Sequence, residues 1–235
     1  MSSTTTSNAL HPAISWDDFA QAFEGIFERQ YYTENGPLVR QLEARLSQHT
    51  QAKHVVSVMN EFVAYLVLLD SLPRGGEVLV PLKSPVGLQQ ALGWLPQLTP
   101  VGYDHPKDVT ALLTPMTCAV VGASGQWPQT AASDIQTQLH ATDRIPLILD
   151  CSHDPLRPLA HCDVHICSMH ASYPLGAMEG AYVALSDDDW ADSMRTMRSS
   201  SGAPRTMSVK KTVNGRLSEA HAALALLQLE YGLVS

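Results

Sequence analysis

The stretch Pro146-Leu147-Ile148-Leu149-Asp150 is a short apolar run that ends in a carboxylate. Runs of the same kind precede it at 118–123 and follow it at 164–168, and a helix-like segment at 131–140 separates the first two. Strands that are apolar on both faces are typical of a parallel sheet covered by helices on both sides. The stretch therefore predicts a strand of an α/β fold.

The same alternation extends over most of the chain. Helices are predicted at 62–72, 86–94 and 131–140 because apolar residues recur there at helical spacing. The fold predicted is α/β, with a mostly parallel seven-stranded sheet between helices. Its strands are predicted at 55–58, 78–80, 99–103, 118–123, 147–150, 164–168 and 181–185.

The ends of the chain are predicted to be helical around this sheet region, which spans 53–190. Two helices are expected within 15–50, the first capped by Ser15, and a closing helix at 215–231. Residues 1–11 are Ser/Thr-rich and are expected to be a disordered leader, so 12–235 form one domain. The first helix carries an apolar stripe that is core or interface: Trp16, Phe19, Phe23, Ile26 and Phe27.

Composition excludes several functional classes. The chain of 235 residues has a formal net charge of -8 and no basic run beyond Lys210-Lys211, which argues against nucleic acid as a partner. We expect no membrane span, because no stretch approaches the roughly 20 apolar residues that a bilayer requires. The N-terminus lacks the features of a secretory signal, so a cytoplasmic location is expected. The cysteines lie in or beside apolar runs, which favours buried reduced thiols: Cys118, Cys151, Cys162 and Cys167.

Five ordered motifs resemble those of the DegT/DnrJ/EryC1/StrS aminotransferases, whose members have the large domain of type I pyridoxal phosphate (PLP) transferases. The resemblance runs from about Tyr32 to Glu230. It implies a PLP-dependent transferase fold, and the family's smaller C-terminal domain is expected to be absent because the chain stops soon after the closing helix. The motifs are 33–43 (TENGPLVRQLE), 76–81 (GEVLVP), 146–150 (PLILD), 168–181 (SMHASYPLGAMEGA) and 214–219 (NGRLSE).

Tyr173 is the most informative departure from the family pattern. The segment 168–181 resembles S-F-H-x-x-K-x-[LI]-x-x-x-E-G-G, in which the lysine holds PLP as a Schiff base, and Tyr173 stands at the lysine position. A phenol can neither form that bond nor shuttle the proton as the amine does. The resemblance therefore implies a degenerate member of the family.

The phosphate-binding turn also departs from the family's S-x-G-T-x-A. The equivalent residues include Asn60, Glu61 and Phe62, and a carboxylate at Glu61 is expected to repel a phosphate. Pro85 falls where the family places a ring that stacks on the cofactor, and His153 falls at a family glutamine. These substitutions predict that PLP is not bound, although it is the family cofactor and remains possible.

Some family-like positions survive. By resemblance, Asp150 would pair with the pyridine nitrogen, Ser168 would donate to the phosphate, and Asn214 belongs to the N-x-R-x-S-E motif near the cofactor. His170 matches the histidine of the attachment segment. Asp150 can equally be a carboxylate that ends a strand, and Ser168 one serine among many.

The residues bear on two other kinds of chemistry, metal binding and a displaced Schiff-base lysine. The segment 150–170 is rich in His, Cys and Asp, but its spacing matches no standard zinc signature, so no metal site is predicted. Lys83 lies near the predicted cofactor site, where it is either a displaced Schiff-base lysine or a solvated loop residue.

Two functional hypotheses follow. In the first, the protein is a pseudoenzyme that acts as a binding or partner subunit. It would form a homodimer, or a heterodimer with an aminotransferase-like paralogue, and it could bind a nucleotide sugar, as kinship implies. In the second, it is an enzyme that uses PLP non-covalently or through Lys83, or that performs acid/base chemistry with Asp150, His153, His170 and Tyr173. That acid/base chemistry requires a lowered pKa for Tyr173.

Overall fold

The computed structural model describes residues 14–30, 32, 35–199 and 211–232. The predicted leader 1–11, and Thr33, Glu34 and Lys210, lie outside the described residues. The predicted α/β fold is confirmed. Helices span α1 Trp16–Arg29, α2 Pro37–Thr50, α3 Glu61–Asp70, α4 Val86–Trp94, α5 Val109–Leu112, α6 Gln129–Asp143, α7 Asp188–Arg198 and α8 Glu219–Gly232.

All seven predicted strands form a single sheet in the order β1-β7-β6-β5-β4-β2-β3. Strand β7 pairs antiparallel with both β1 and β6, whereas the other pairs are parallel. The sheet is therefore mostly parallel, as predicted. The strands span β1 His54–Val58, β2 Gly76–Pro81, β3 Leu98–Tyr103, β4 Thr117–Ala123, β5 Leu147–Asp150, β6 Val164–Ser168 and β7 Ala181–Leu185.

Each face of the sheet is covered by helices. Residues of α3, α4 and α7 pack in one apolar cluster, and residues of α2, α6 and α8 pack in the other. Helix α3 is the most enclosed, since every residue from Val63 to Leu69 is buried. This two-sided burial explains why the strands are apolar throughout.

Long-range hydrogen bonds tie α2 to the rest of the domain. Glu219, at the start of α8 and 1% exposed, accepts from the backbone N–H groups of Leu38 (2.9 Å) and Val39 (3.0 Å) in the first turn of α2. Helix α2 begins after Gly36, which offers no side-chain cap, so Glu219 satisfies amides that would otherwise lack a partner.

Several boundaries differ from the predictions. The closing helix begins at Glu219 rather than 215, because 214–218 run beside the end of β1, where Met59 N–H donates to the Gly215 carbonyl (2.8 Å). Helix α7 was not predicted, since only one narrow stripe of it is apolar. Ser15 caps α1 as predicted, accepting from the Asp18 N–H.

The apolar stripe of α1 is divided between core and surface. Ile26 is buried, whereas Trp16 is 75% and Phe27 63% exposed. Tyr32 lies against Phe27 with ring centroids 5.7 Å apart and is itself half exposed. The stripe therefore leaves an aromatic surface beside its contacts with α8.

Candidate functional site

The predicted site residues lie at the carboxyl edge of the parallel strands, where ligands bind in open α/β sheets. Asp150 ends β5 and Ser168 ends β6. Asn60 and Glu61 begin α3 just after β1, and Pro85 is the N-cap of α4 after β2. Strand topology thus gathers residues that are more than 100 positions apart in the sequence.

Asp150 is a buried carboxylate whose two oxygens both have partners. Its Oδ1 accepts from the Ser152 N–H (2.9 Å), and its Oδ2 accepts from the hydroxyl of Tyr65 in α3 (3.1 Å). Tyr65 is fully buried, and its pKa is raised well above the usual value by burial and by the nearby Asp150 charge. The phenol therefore remains a hydrogen-bond donor to Asp150.

Glu61 projects towards Asp150 from the first turn of α3. Burial, followed by repulsion from Asp150, raises its pKa to about 7, while a hydrogen bond from the Gly87 N–H opposes this shift. Its Oε1 is buried without a hydrogen-bond partner among the described residues. Glu61 is therefore a weaker acid than an ordinary glutamate, with no cation among the groups that perturb it.

Tyr173 lies in the loop between β6 and β7, in a turn closed by its N–H and the His170 carbonyl (2.9 Å). Its ring meets that of His153 edge to face, with centroids 5.1 Å apart. Partial burial, and then the charges of Glu61 and Asp150, raise the pKa of its phenol. Acid/base chemistry near neutral pH needs the opposite shift, so the electrostatics disfavour Tyr173 as a proton-transfer group.

The remaining residues of the attachment segment form hydrogen bonds among themselves. The Ser168 Oγ accepts from the His170 N–H (3.3 Å), and its own N–H donates to the Ser152 Oγ (2.9 Å). The ring Nδ1 of His170 lies 2.8 Å from the Ser172 hydroxyl, and the side chain is exposed. Ser168 and His170 are therefore used in holding the loop.

Three other predicted residues have mainly structural surroundings. The Asn60 Oδ1 caps α3 by accepting from the Val63 N–H (2.9 Å). Phe62 packs against the apolar cluster of α3. Asn214 is exposed, with a positive φ of 50°, and precedes the Gly215 carbonyl that pairs with Met59.

Lys83 is exposed in the loop after β2. Among the described residues, none of the ion pairs involves Lys83. Its exposure is that of a solvated loop lysine.

Two residues at the site were missed from the sequence. The sequence predicts only an apolar helix around Tyr65 and gives no sign of a role for Gly87. A hydroxyl within the continuously apolar segment 62–69 is the available signal, since a buried phenol needs a partner. Nothing local could have shown that Gly87 meets Glu61, because the contact joins two different helices.

The His- and Cys-rich segment is a packed interior. All four cysteines are buried and unbridged, as expected, and burial raises the pKa of Cys151 to about 12. His165 is 1% exposed, and neither ring nitrogen has a partner in the described part of the chain. Within that part, no group of three or more His, Cys, Asp or Glu side chains is arranged to hold a metal ion.

A cavity of about 1020 Å³ lies at the opposite, amino edge of the sheet. It is far from Asp150, since it borders Pro146 at the start of β5 and Ser186 at the end of β7. Its lining mixes charges of both signs, including Arg144, Asp187 and Asp189.

No helix in the described ranges is both long and apolar enough to cross a bilayer.

The sheet order and the edge where the site residues meet define the large domain of a PLP-type transferase. Comparison with family models matches residues 14–232 to the DegT/DnrJ/EryC1/StrS aminotransferase family. The chain belongs to this family, which confirms the assignment made from its motifs.

Similar curated proteins are nucleotide-sugar aminotransferases. A dTDP-4-amino-4,6-dideoxy-D-glucose transaminase of Shigella dysenteriae is 25% identical over 92% of this chain and 62% of its own length. A UDP-2-acetamido-2-deoxy-3-oxo-D-glucuronate aminotransferase of Pseudomonas aeruginosa is 28% identical over 83% of this chain and 58% of its own length. The chain thus spans less than two thirds of these relatives.

Solved structures show the same fold. DesI, crystallised in the presence of its TDP-sugar product, superposes with a TM-score of 0.81 at 26% identity and covers 94% of this chain and 60% of its own. NtdA of Bacillus subtilis, whose crystal structure contains the cofactor PMP, has a TM-score of 0.80 at 16% identity over 94% of this chain and 54% of its own.

The residues at the site do not fit PLP. A phosphate favours free backbone N–H groups at a helix start, but the Glu61 carboxylate already accepts from Gly87 there and carries the same sign of charge. Asp150 already accepts from Tyr65, and Tyr173 offers no amine. The contacts that would hold the phosphate and the aldehyde are thus altered, whereas Asp150, which would face the pyridine nitrogen, is retained.

Proposed function

We propose that this chain is a degenerate DegT-type protein without PLP-dependent transamination, and that it acts as a binding or partner subunit. The observation that carries the proposal is Tyr173 at the position of the family lysine. Its phenol has a raised pKa, close to two carboxyl groups, so it is neither a Schiff-base amine nor an activated nucleophile.

Kinship supports a role in nucleotide-sugar or polysaccharide biosynthesis. The curated relatives named above act on dTDP- and UDP-linked sugars, and DesI was crystallised with a TDP-sugar product. A nucleotide sugar is accordingly the proposed class of ligand. The cytoplasmic location expected from the sequence belongs to the same proposal.

The aromatic surface of α1 supports a partner subunit, which would be a second copy of this chain or an aminotransferase-like paralogue. Trp16, Phe27 and Tyr32 expose half or more of their surface, and Tyr231 of α8 exposes 40%. Exposed apolar patches of this kind mark interaction sites in folded proteins. Light scattering of the purified chain, alone and mixed with a catalytic paralogue, would test this part of the proposal.

The main test is titration of the purified chain with PLP, followed by borohydride reduction and peptide mass mapping. We expect no saturable absorbance change and no stoichiometric adduct at any of the five lysines. Low, scattered labelling of exposed lysines is the background that millimolar aldehyde produces. The matched control is Lys83→Arg, which keeps the charge but removes the amine.

A stoichiometric adduct would overturn the proposal. If the label mapped to Lys83 and disappeared in the Lys83→Arg variant, the displaced-lysine enzyme would replace the pseudoenzyme. An adduct mapped to another lysine would also overturn the proposal and would place the nucleophile elsewhere.

A further inference from the structure

The first turns of α3 and α4 meet at the carboxyl edge of the sheet. Helix α3 has its own cap in Asn60, whereas α4 begins after Pro85, which provides no side-chain hydrogen bond. The amides in the first turn of α4 lack partners within their helix. The Glu61 carboxyl group lies against Gly87 in this turn, and the Gly87 N–H lowers its pKa, so the side chain stands between the two helices.

Gly87 leaves the space that Glu61 fills. A Cβ placed on Gly87 would lie 2.9 Å from the Glu61 Cγ and 3.0 Å from its Oε2, closer than ordinary contact. The same Cβ would lie 3.0 Å from the Phe62 backbone nitrogen. The backbone of α4 therefore approaches the start of α3 closely, and the carboxyl group occupies the position between them.

The junction between α3 and α4 favours negative charge, but no cation is among the groups that perturb the Glu61 carboxyl group. Helix N-termini attract negative charge, and two of them meet here. Yet the Glu61 Oε1 is buried without a partner among the described residues, and Asp150 is the charged neighbour that perturbs it. An anion supplied by the chain itself thus takes the position at some electrostatic cost.

We propose that the Glu61 side chain is a tethered acidic group that fills the junction between α3 and α4, and that removing its carboxyl group opens a binding site for inorganic phosphate. The chain would then need no bound phosphate ester to join these helices. This inference rests on the proposed function, because it names a second reason why PLP is not retained. It does not depend on Tyr173 or on any lysine.

The test compares thermal unfolding of the intact chain with that of Glu61→Ser, in buffers of equal ionic strength containing chloride or millimolar inorganic phosphate. Phosphate is expected to leave the intact chain unchanged and to raise the Tm of Glu61→Ser in a saturable manner. At phosphate tenfold above its Kd, the folded-to-unfolded ratio should rise about 11-fold.

Two control variants separate the effect of emptying the junction from the effect of removing a negative charge. Glu61→Gln removes the charge but still fills the junction, so it should show no saturable phosphate response. Glu179→Ser removes one negative charge from the exposed part of the β6–β7 loop without touching α3 or α4, and it should behave as the intact chain does. An equal phosphate response in Glu179→Ser would attribute the effect to net charge and overturn the proposal.

The remaining outcomes also decide the question. An intact chain that responds to phosphate as strongly as Glu61→Ser contradicts the proposal, and so does a Glu61→Ser chain that does not respond. If Glu61→Ser unfolds in chloride, refolding yields are compared for Glu61→Ser and Glu61→Ala. A higher refolding yield in phosphate than in chloride supports the proposal, and equal yields in the two buffers overturn it. A PLP adduct on the intact chain would refute the proposed function while leaving this result interpretable.

Discussion

Glu219 and Glu61 both place a carboxylate at the first turn of a helix in another part of the chain, with very different results. Glu219 uses both oxygens, one for each amide of α2. Glu61 lies against Gly87 but leaves Oε1 unpartnered beside Asp150, and its pKa rises to about 7. Glu219 belongs to a family-like motif, whereas Glu61 stands in a motif that departs from the family.

Glu43 extends the comparison, because it also belongs to a family-like motif. Its carboxylate accepts from the Arg198 guanidinium (2.7 Å) and from the Ser57 N–H (2.9 Å), which joins α2, β1 and α7. The retained motifs therefore stabilise the scaffold, while the altered ones meet at the candidate site. The fold and the candidate site therefore depend on different sets of residues.

The largest expected effect comes from breaking the scaffold at Glu43. Glu43→Ala leaves the Arg198 guanidinium, 6% exposed at its side chain, without its carboxylate, and should lower the free energy of unfolding by about 3–5 kcal/mol. Urea denaturation measures this loss. The control is Asp192→Ala, whose pair with Arg195 is largely exposed and should change stability by about 0.5 kcal/mol or less. Equal losses in both variants would refute a special role for the buried pair.

The next effect concerns His165, which lies inside the scaffold. Burial, and then the charges of Arg157 and His161, lower its pKa to about 3. Because this folded-state pKa lies below the usual value of 6.5, stability is fully present above pH 6.5 and is lost as the pH falls towards 3. The expected slope is about 1.4 kcal/mol per pH unit.

The His165 slope can be isolated by mutation. In His165→Leu, the loss of unfolding free energy between pH 7 and pH 5 should be smaller than in the intact chain. His105→Asn, at an exposed histidine, should retain the full loss. If His165→Leu keeps the same pH dependence as the intact chain, His165 is not the group responsible.

A smaller effect is expected at the Glu219 cap. Glu219→Gln keeps the size of the side chain but presents an amide group to one of the two α2 N–H groups, so stability should fall by about 2 kcal/mol. Glu230→Gln, at a largely exposed side chain of the same helix, serves as the control in the same denaturation experiment. An unchanged midpoint for Glu219→Gln would show that α2 does not need this cap.

The smallest effect is expected at the candidate site. Tyr65→Phe removes the hydroxyl that donates to Asp150 and should lower stability by about 1 kcal/mol. Tyr231→Phe removes a hydroxyl from a partly exposed ring and should leave the unfolding midpoint nearly unchanged. A Tyr65→Phe chain as stable as the intact one would indicate that Asp150 does not depend on this phenol.

Much of the fold was predictable because its signals are local. Apolar runs such as 147–150 and 164–168 identify buried strands without knowledge of their neighbours, and all seven were found. Helix α7 escaped because it begins with Asp188 and Asp189 and buries only Ala191 and a few later residues. The start of α8 was placed too early, because the Gly215 carbonyl pairs with the end of β1.

The sequence by itself determined the strand and helix pattern and the family, and it predicted that Tyr173 stands at the position of the family lysine. Each of these depends on residue type and spacing along the chain. Only the tertiary structure decided that Glu61 meets Gly87, that Tyr65 donates to Asp150 and that Glu219 caps α2. These contacts join residues 26, 85 and 180–181 positions apart, and their energies depend on burial and neighbouring charge, which arise only when the sheet is assembled.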